Sequence, residues 1–186
     1  HHLGREFLSF HKDAMNQKSY FDRIQLFHPL QEWIGHKRAE SLLYQFNRVL
    51  LKLQELMWVT RRKHSNIEYK KGTTWFSITH DLARYIVSLE PTIKRNYRFT
   101  QCADEIFLHT AAWNSHFRDK LYDDSLRHID WKRGRPHTFT RDDFDELVNS
   151  KAFWARKFSN QMDPVIVDMI LNHLQSPSSS DPNLFT

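Results

Sequence analysis

The sequence predicts an α/β protein with a mixed sheet and flanking helices. Two observations carry this: short aromatic, strand-like runs alternate with helix-patterned segments, and turn or capping residues stand at their junctions. A third narrows the class. Only four glycines occur in 186 residues, so there are no long glycine-rich loops, no Walker-type loop and no G-x-G-x-x-G fingerprint. Hydrophobic residues make up 40% of the chain and aromatics 14%, which suits a packed globule rather than a disordered chain. The length fits one core, so residues 1–175 are expected to form a single domain. Residues 176–186, opening Ser176-Pro-Ser-Ser-Ser-Asp-Pro182, have too few core-forming residues to be more than a solvated tail.

Residues 5–10, Arg-Glu-Phe-Leu-Ser-Phe, read as a strand, and 12–23 as a loop or irregular helix. Over 36–62, Leu42, Leu43, Phe46, Val49, Leu50, Leu53, Leu56 and Met57 recur at three- and four-residue steps, predicting a helix with one apolar stripe turned to the core. Residues 70–74 form a turn and 75–78 a strand. Thr79 is the N-cap of a helix over 81–89, and Pro91 ends it or opens a second. A helix over 104–114 and a strand over 126–131 follow, then a loop marked by Gly134 and Pro136. Thr140 caps a helix over 141–149 whose first turn carries Asp142 and Asp143. Residues 153–158 are extended, and Pro164 starts a last helix ending near 175. The chain lacks an initiator Met and starts almost directly in a strand-like run, so a longer polypeptide is expected.

Net charge is +5, from 27 Lys and Arg against 22 Asp and Glu. This favours anionic partners: phosphates, nucleic acid or a membrane surface. Cationic clusters such as Arg61-Arg-Lys63, Lys70-Lys71 and Lys132-Arg133 are spread along the chain, which leans towards a small anionic ligand. Cys102 is the only cysteine, so no internal disulfide forms and a reducing compartment is expected. No apolar run approaches a membrane span.

Two constellations offer chemistry. Glu105, beside Asp104 at the expected start of a helix, is either a general base or part of an acidic cap. Arg156 and Lys157 alternate in an extended segment, so one can enter a cleft while the other meets solvent; Arg133 and Arg135 lie two apart in the preceding basic loop. A carboxylate that removes a proton and cations that receive a departing phosphate together meet the needs of metal-free sugar transfer from a nucleotide. Trp131, beside the basic loop, is either a platform for a sugar ring or ordinary core. Asp143-Phe-Asp145 formally matches a D-x-D metal pattern, but inside a helix these residues do not face one another. The twelve histidines show no ligand spacing, so no metal and no cofactor is expected.

Four segments, in this order, resemble the C-terminal half of the core-2/I-branching N-acetylglucosaminyltransferase family (glycosyltransferase family 14, which also contains peptide O-xylosyltransferases). They are Lys71-Gly-Thr-Thr-Trp75-Phe-Ser-Ile, Ala103-Asp-Glu105-Ile-Phe-Leu-His-Thr110, Leu126-Arg-His-Ile-Asp-Trp131 and Ser150-Lys-Ala-Phe-Trp-Ala-Arg-Lys-Phe158. The resemblance implies a partial GT-A-like fold and inverting, metal-independent transfer from a UDP-sugar, with N-acetylglucosamine as the expected sugar and a glycan hydroxyl as acceptor. It makes Glu105 the base that deprotonates the acceptor. Lys157 and Arg135 become donor-diphosphate contacts, with Arg133 the neighbouring choice for the arginine. Trp131, Lys18 and Arg23 fall on the acceptor side.

Departures qualify the match. Ala103 replaces a proline of the family pattern, and Thr73 and Thr74 stand where Gly-Ser-x is expected. The cysteine-rich pattern of the animal Golgi enzymes is absent, which implies a bacterial, cytoplasmic relative with peripheral membrane contact as a further expectation. The family's N-terminal nucleotide-binding portion has no counterpart in this chain and is expected elsewhere in the same protein. Two competing readings stand beside this one. A basic nucleic-acid-binding module would bind with steep salt dependence, and a glycosidase would need a second acid opposite Glu105.

Overall fold

The computed structural model describes residues 4–34, 41–59, 61, 66–134 and 136–175. Contacts divide the chain into two compact units, residues 1–125 and 126–186.

In the first unit, strand β1 (Glu6–Phe10) is followed by a 3-10 turn at Ala14–Asn16 and helices α1 (Lys18–Gln25), α2 (Gln31–Ile34) and α3 (Leu42–Leu56). Strand β2 (Gly72–Ser77), helices α4 (His80–Ser88) and α5 (Glu90–Tyr97), a 3-10 turn at Ala103–Glu105, helix α6 (Phe107–Trp113), a 3-10 turn at Arg118–Lys120 and strand β3 (Leu121–Tyr122) follow. β1 is the middle strand of a mixed sheet, antiparallel to β2 and parallel to β3. This agrees with the α/β expectation. The expected turn at 70–74 already belongs in part to β2, because Gly72 pairs with Phe10.

The core of this unit joins Leu8 of the sheet to Leu82 and Ile86 of α4, Leu108 and Ala112 of α6, and Phe117. Thr79 caps α4 as expected, its hydroxyl accepting from the Leu82 amide at 3.3 Å. The same residue satisfies the fully buried Glu6, donating to its carboxylate from the amide at 2.7 Å and from the hydroxyl at 2.5 Å. A buried carboxylate without such partners would be strongly unfavourable.

α3 departs from expectation. The helix is present, started by Ser41, whose hydroxyl accepts from the Tyr44 amide. Its apolar stripe, however, faces outward: Leu42, Phe46, Val49, Leu53, Leu56 and Met57 are all exposed. The helix is seated on the face that carries the half-buried Leu43, Leu50 and Leu51 with Asn47 and the buried Gln54. The buried Gln54 amide accepts from the Phe27 N–H at 2.8 Å and donates to the Phe27 carbonyl at 2.9 Å. Periodicity identifies an apolar face but not the direction in which it points.

Behind the sheet, the His109 ring on α6 is fully buried and meets the Phe10 ring edge-on at 5.2 Å. Burial pushes this imidazole down to about 4. The ring is neutral in the folded protein, whereas the unfolded chain takes up a proton below about 6.5. Its contribution to stability is therefore whole above that pH and is lost as pH falls towards 4, up to about 3 kcal/mol. Burial lowers His11 and His28 in the same sense. Denaturant midpoints should fall between pH 6.5 and 4, and His109→Gln should flatten that fall.

The second unit contains strand β4 (Arg127–Ile129), a 3-10 turn at Arg141–Asp143, helix α7 (Phe144–Val148), strand β5 (Trp154–Arg156) and helix α8 (Val165–Gln175). β4 and β5 pair in parallel, His128 opposite Ala155. Phe139, Leu147 and Ile166 form its core. The expected strand over 126–131 is shorter here, because Asp130 turns back to accept from the Lys132 and Arg133 amides. Thr140 closes a capping box with Asp143, so the first Asp of the D-x-D pattern serves as a cap. Among the described residues no helix is long and apolar enough to cross a membrane.

Candidate active site

The Glu105 carboxylate is held by cations that sequence spacing does not bring together. It ends the 3-10 turn Ala103–Glu105, not the first turn of a regular helix; α6 starts two residues later. Cys102, in left-handed backbone geometry, aims the turn, and its carbonyl accepts from the Glu105 amide at 3.2 Å. The Gln101 amide donates to the Arg23 carbonyl at 3.1 Å, which ties the turn to the end of α1.

Arg23 and Lys71 reach the same oxygen of Glu105, Oε2, at 3.1 and 3.0 Å. Among the described residues no donor is recorded on Oε1. Arg23 also lies 4.7 Å over the Tyr20 ring. Lys71 is only 4% exposed, and a buried ammonium needs close partners. Besides Glu105 it has His11, whose Nδ1 lies 3.0 Å from Nζ. An ammonium has no acceptor site, so His11 accepts through Nδ1 and carries its proton on Nε2. Burial and the neighbouring Lys71 charge both hold His11 below its ordinary value. One carboxylate against two cations leaves local positive charge beside a free carboxylate oxygen.

Lys71 and His11 open onto a cleft of about 720 Å³, whose walls also include Trp113, Lys70, Arg118 and Asp123. Lys70 and Arg118 lie over the Trp113 ring at 4.1 and 4.5 Å from its centroid. The indole N–H donates to Glu68 at 2.7 Å.

The expected residues thus meet different fates. Arg23 is brought to Glu105. Lys18 is not: its exposed ammonium pairs with Asp22 at 2.5 Å and Glu55 at 2.7 Å. Sequence reasoning missed Lys71 and His11 as partners of the carboxylate. A lysine directly before the strand-forming Gly72–Ser77 run was the available signal for the first; nothing flagged the second.

In the second unit, Lys157 follows β5 and is exposed, and the Arg156–Lys157 peptide is cis. Its backbone is fixed on both sides, the Lys157 amide donating to the His137 carbonyl and its carbonyl accepting from Phe139. Among the described residues the Lys157 ammonium makes no ion pair, whereas Arg156 is half-buried and partnered. Arg133 is taken up by three carboxylates: Asp130, Asp143 at 2.5 Å and Glu146 at 2.6 Å. The Asp130 carboxyl is pulled down to about 2, chiefly by Arg133. For Asp143, burial works upward but is outweighed by hydrogen bonds from Thr140, His137 and Arg133, leaving it also at about 2. Arg135 lies outside the described residues. Trp131 is 64% exposed, so the core alternative for it is overturned. No group of three or more His, Cys, Asp or Glu side chains is placed to hold a metal ion among the described residues.

The family model for the core-2/I-branching enzyme matches residues 14–174, most of the chain and all four motif segments. The chain belongs to the core-2/I-branching enzyme family. Among similar proteins are two from Arabidopsis thaliana. The beta-glucuronosyltransferase GlcAT14A is 29% identical over 153 residues, covering 75% of this chain and 34% of that protein. The beta-glucuronosyltransferase GlcAT14B is 25% identical over 175 residues, covering 87% and 40% respectively. A xylosyltransferase of Ciona intestinalis is 26% identical over 151 residues, covering 69% of this chain and 17% of its own length. The chain therefore spans well under half the length of these relatives. Their names are all of sugar-transferring enzymes, and the nucleic-acid reading gains no support from them.

Proposed function

We propose that this chain is part of an inverting glycosyltransferase of partial GT-A-like fold that moves a sugar from a UDP-sugar to a glycan hydroxyl without a metal. The observation that carries the reading is the Glu105 carboxylate, pinned at Oε2 by Arg23 and Lys71, in a chain whose family match is nearly end to end. With Oε2 held, Oε1 takes the proton of the acceptor hydroxyl. The deprotonated acceptor oxygen attacks the anomeric carbon in line, the bond from that carbon to the diphosphate oxygen breaks, and UDP leaves with the bonding pair. Cations stabilise the charge developing on the diphosphate. Lys157, exposed and making no ion pair among the described residues, is suited to this work, and Arg135 is its proposed partner. Arg133 is less suited, since a diphosphate would have to displace three carboxylates from it.

On the acceptor side, the cleft beside Lys71 offers an indole and several cations, a mixture that suits a sugar with acidic or polar substituents. Trp131 is proposed as a further sugar platform. The relatives' names include glucuronosyl and xylosyl transfer, so UDP-glucuronic acid and UDP-xylose should be assayed beside UDP-N-acetylglucosamine. Calorimetric titration of UDP into the full-length protein tests the donor assignment. Lys157→Ala should weaken binding about tenfold or more, the loss of one charge-assisted hydrogen bond, whereas Lys18→Ala should leave it unchanged. Equal affinity in the Lys157 variant would remove that residue from the donor site.

A further inference from the structure

The outward stripe of α3 is the feature that the enzymatic reading leaves unused. Leu42, Phe46, Val49, Leu53 and Leu56 follow one another at steps of four and three residues and are between 49% and 89% exposed. Met57 and Trp58 extend the patch at the C-terminal end, at 74% and 86%. Such a contiguous exposed apolar face on a soluble protein marks a contact surface. Its seating is enforced, because Gln54 on the opposite side is clamped to Phe27 and Glu55 is paired with Lys18.

The charge of the sequence that contains this helix indicates what the surface meets. Residues 35–64 contain seven of the chain's 27 Lys and Arg (Lys37, Arg38, Arg48, Lys52, Arg61, Arg62, Lys63) and two of its 22 acids (Glu40, Glu55). This stretch alone therefore carries the whole net charge of +5; the other 20 cations and 20 acids cancel. On α3 itself, Arg48 and Lys52 are exposed; by the helical repeat Lys52 borders the stripe, and Arg48 lies one step further round on the same side. An exposed apolar stripe with exposed cations on the same helix, an indole at its end and a net-positive flanking sequence is the pattern of a helix lying in a bilayer interface.

We propose that α3 lies on an anionic membrane surface, with Leu42, Phe46, Val49, Leu53 and Leu56 immersed and Arg48 and Lys52 at the headgroups. A neutral helix-binding partner would not explain why the net charge is confined to this stretch. The inference is independent of the glycosyltransferase reading.

Co-sedimentation of the chain with phosphatidylcholine vesicles, with and without phosphatidylglycerol, tests it. The chain should pellet with the anionic vesicles and be released by high salt. Lys52→Gln should weaken partitioning about fivefold, as expected for one cation near such a surface. Phe46→Ser with Leu53→Ser should abolish it, with circular dichroism unchanged because neither side chain is buried. Sedimentation velocity without vesicles gives the second arm. No binding to anionic vesicles, binding indifferent to the Phe46 and Leu53 changes, or a stripe-dependent dimer in place of vesicle binding would each overturn the proposal.

Discussion

Gly72→Ala is expected to destabilise the first unit strongly. A Cβ built at Gly72 would lie 2.1 Å from His109 Nε2 and 2.2 Å from the Ser9 carbonyl oxygen, far inside van der Waals contact. Neither neighbour has room to yield. The Ser9 oxygen belongs to the backbone of β1, where the β1–β2 register shifts between Leu8 and Phe10. The His109 ring is fully buried against Phe10. The strands would have to part, at about 3 kcal/mol or more, against which the stiffer unfolded chain returns less than about 1 kcal/mol. Thermal unfolding should fall by roughly 6–12 °C for a chain of this size. Gly4→Ala is the control. Gly4, unlike Gly72, has a positive φ, 73°, but open space around the added atom, so only the backbone strain of about 1–2 kcal/mol applies. Equal midpoints for the two variants would show that β2 can retreat from β1. Because Lys71 precedes Gly72, a displaced β2 should also loosen the grip on Glu105.

Glu105→Gln should lower sugar transfer by roughly 10²- to 10⁴-fold, the usual contribution of a positioned general base. UDP affinity should be unchanged, since the proposed donor cations are elsewhere in the sequence. An amide keeps the size and an acceptor oxygen for Arg23 and Lys71 but cannot take the hydroxyl proton. Weaker bonds to these two cations should cost about 1–3 kcal/mol of stability, so activity must be read at a temperature where circular dichroism shows the variant folded. Retained turnover in a folded Gln variant would end the base assignment. Loss of turnover together with UDP binding would instead point to a structural role for the carboxylate.

The legible parts of this molecule are those set by near neighbours. α4 could be placed because Thr79 and Pro91 bracket it, and α7 because Thr140 stands three residues before Asp143. The illegible parts depend on residues far apart in the chain. Arg23 and Glu105 are 82 positions apart, and the ion pair that joins them leaves no local pattern. Lys71 read as one more surface cation in a basic turn, yet the strand it opens carries it to 4% exposure. The seating of α3 was hidden for another reason: its leucines lie on two faces, and Gln54, by two hydrogen bonds to one backbone residue, helps to seat the face of Leu43, Leu50 and Leu51 while the more regular stripe is left outside. Arg133 shows the same limit: Asp130 is three residues away, but Asp143 and Glu146 become its neighbours only when the loop folds back.

The double duty of Thr79 narrows what evolution can place there. By capping preference alone, serine, threonine, aspartate and asparagine would all start α4. Aspartate would set a second negative charge against the sequestered Glu6, and asparagine would replace the hydroxyl that both donates a hydrogen bond to Glu6 and accepts one from the Leu82 amide. Only the two alcohols remain, and the branched one restricts its own rotamers more tightly. Homologous chains that keep an acid at position 6 should therefore keep an alcohol at position 79, and the two positions should change together or not at all.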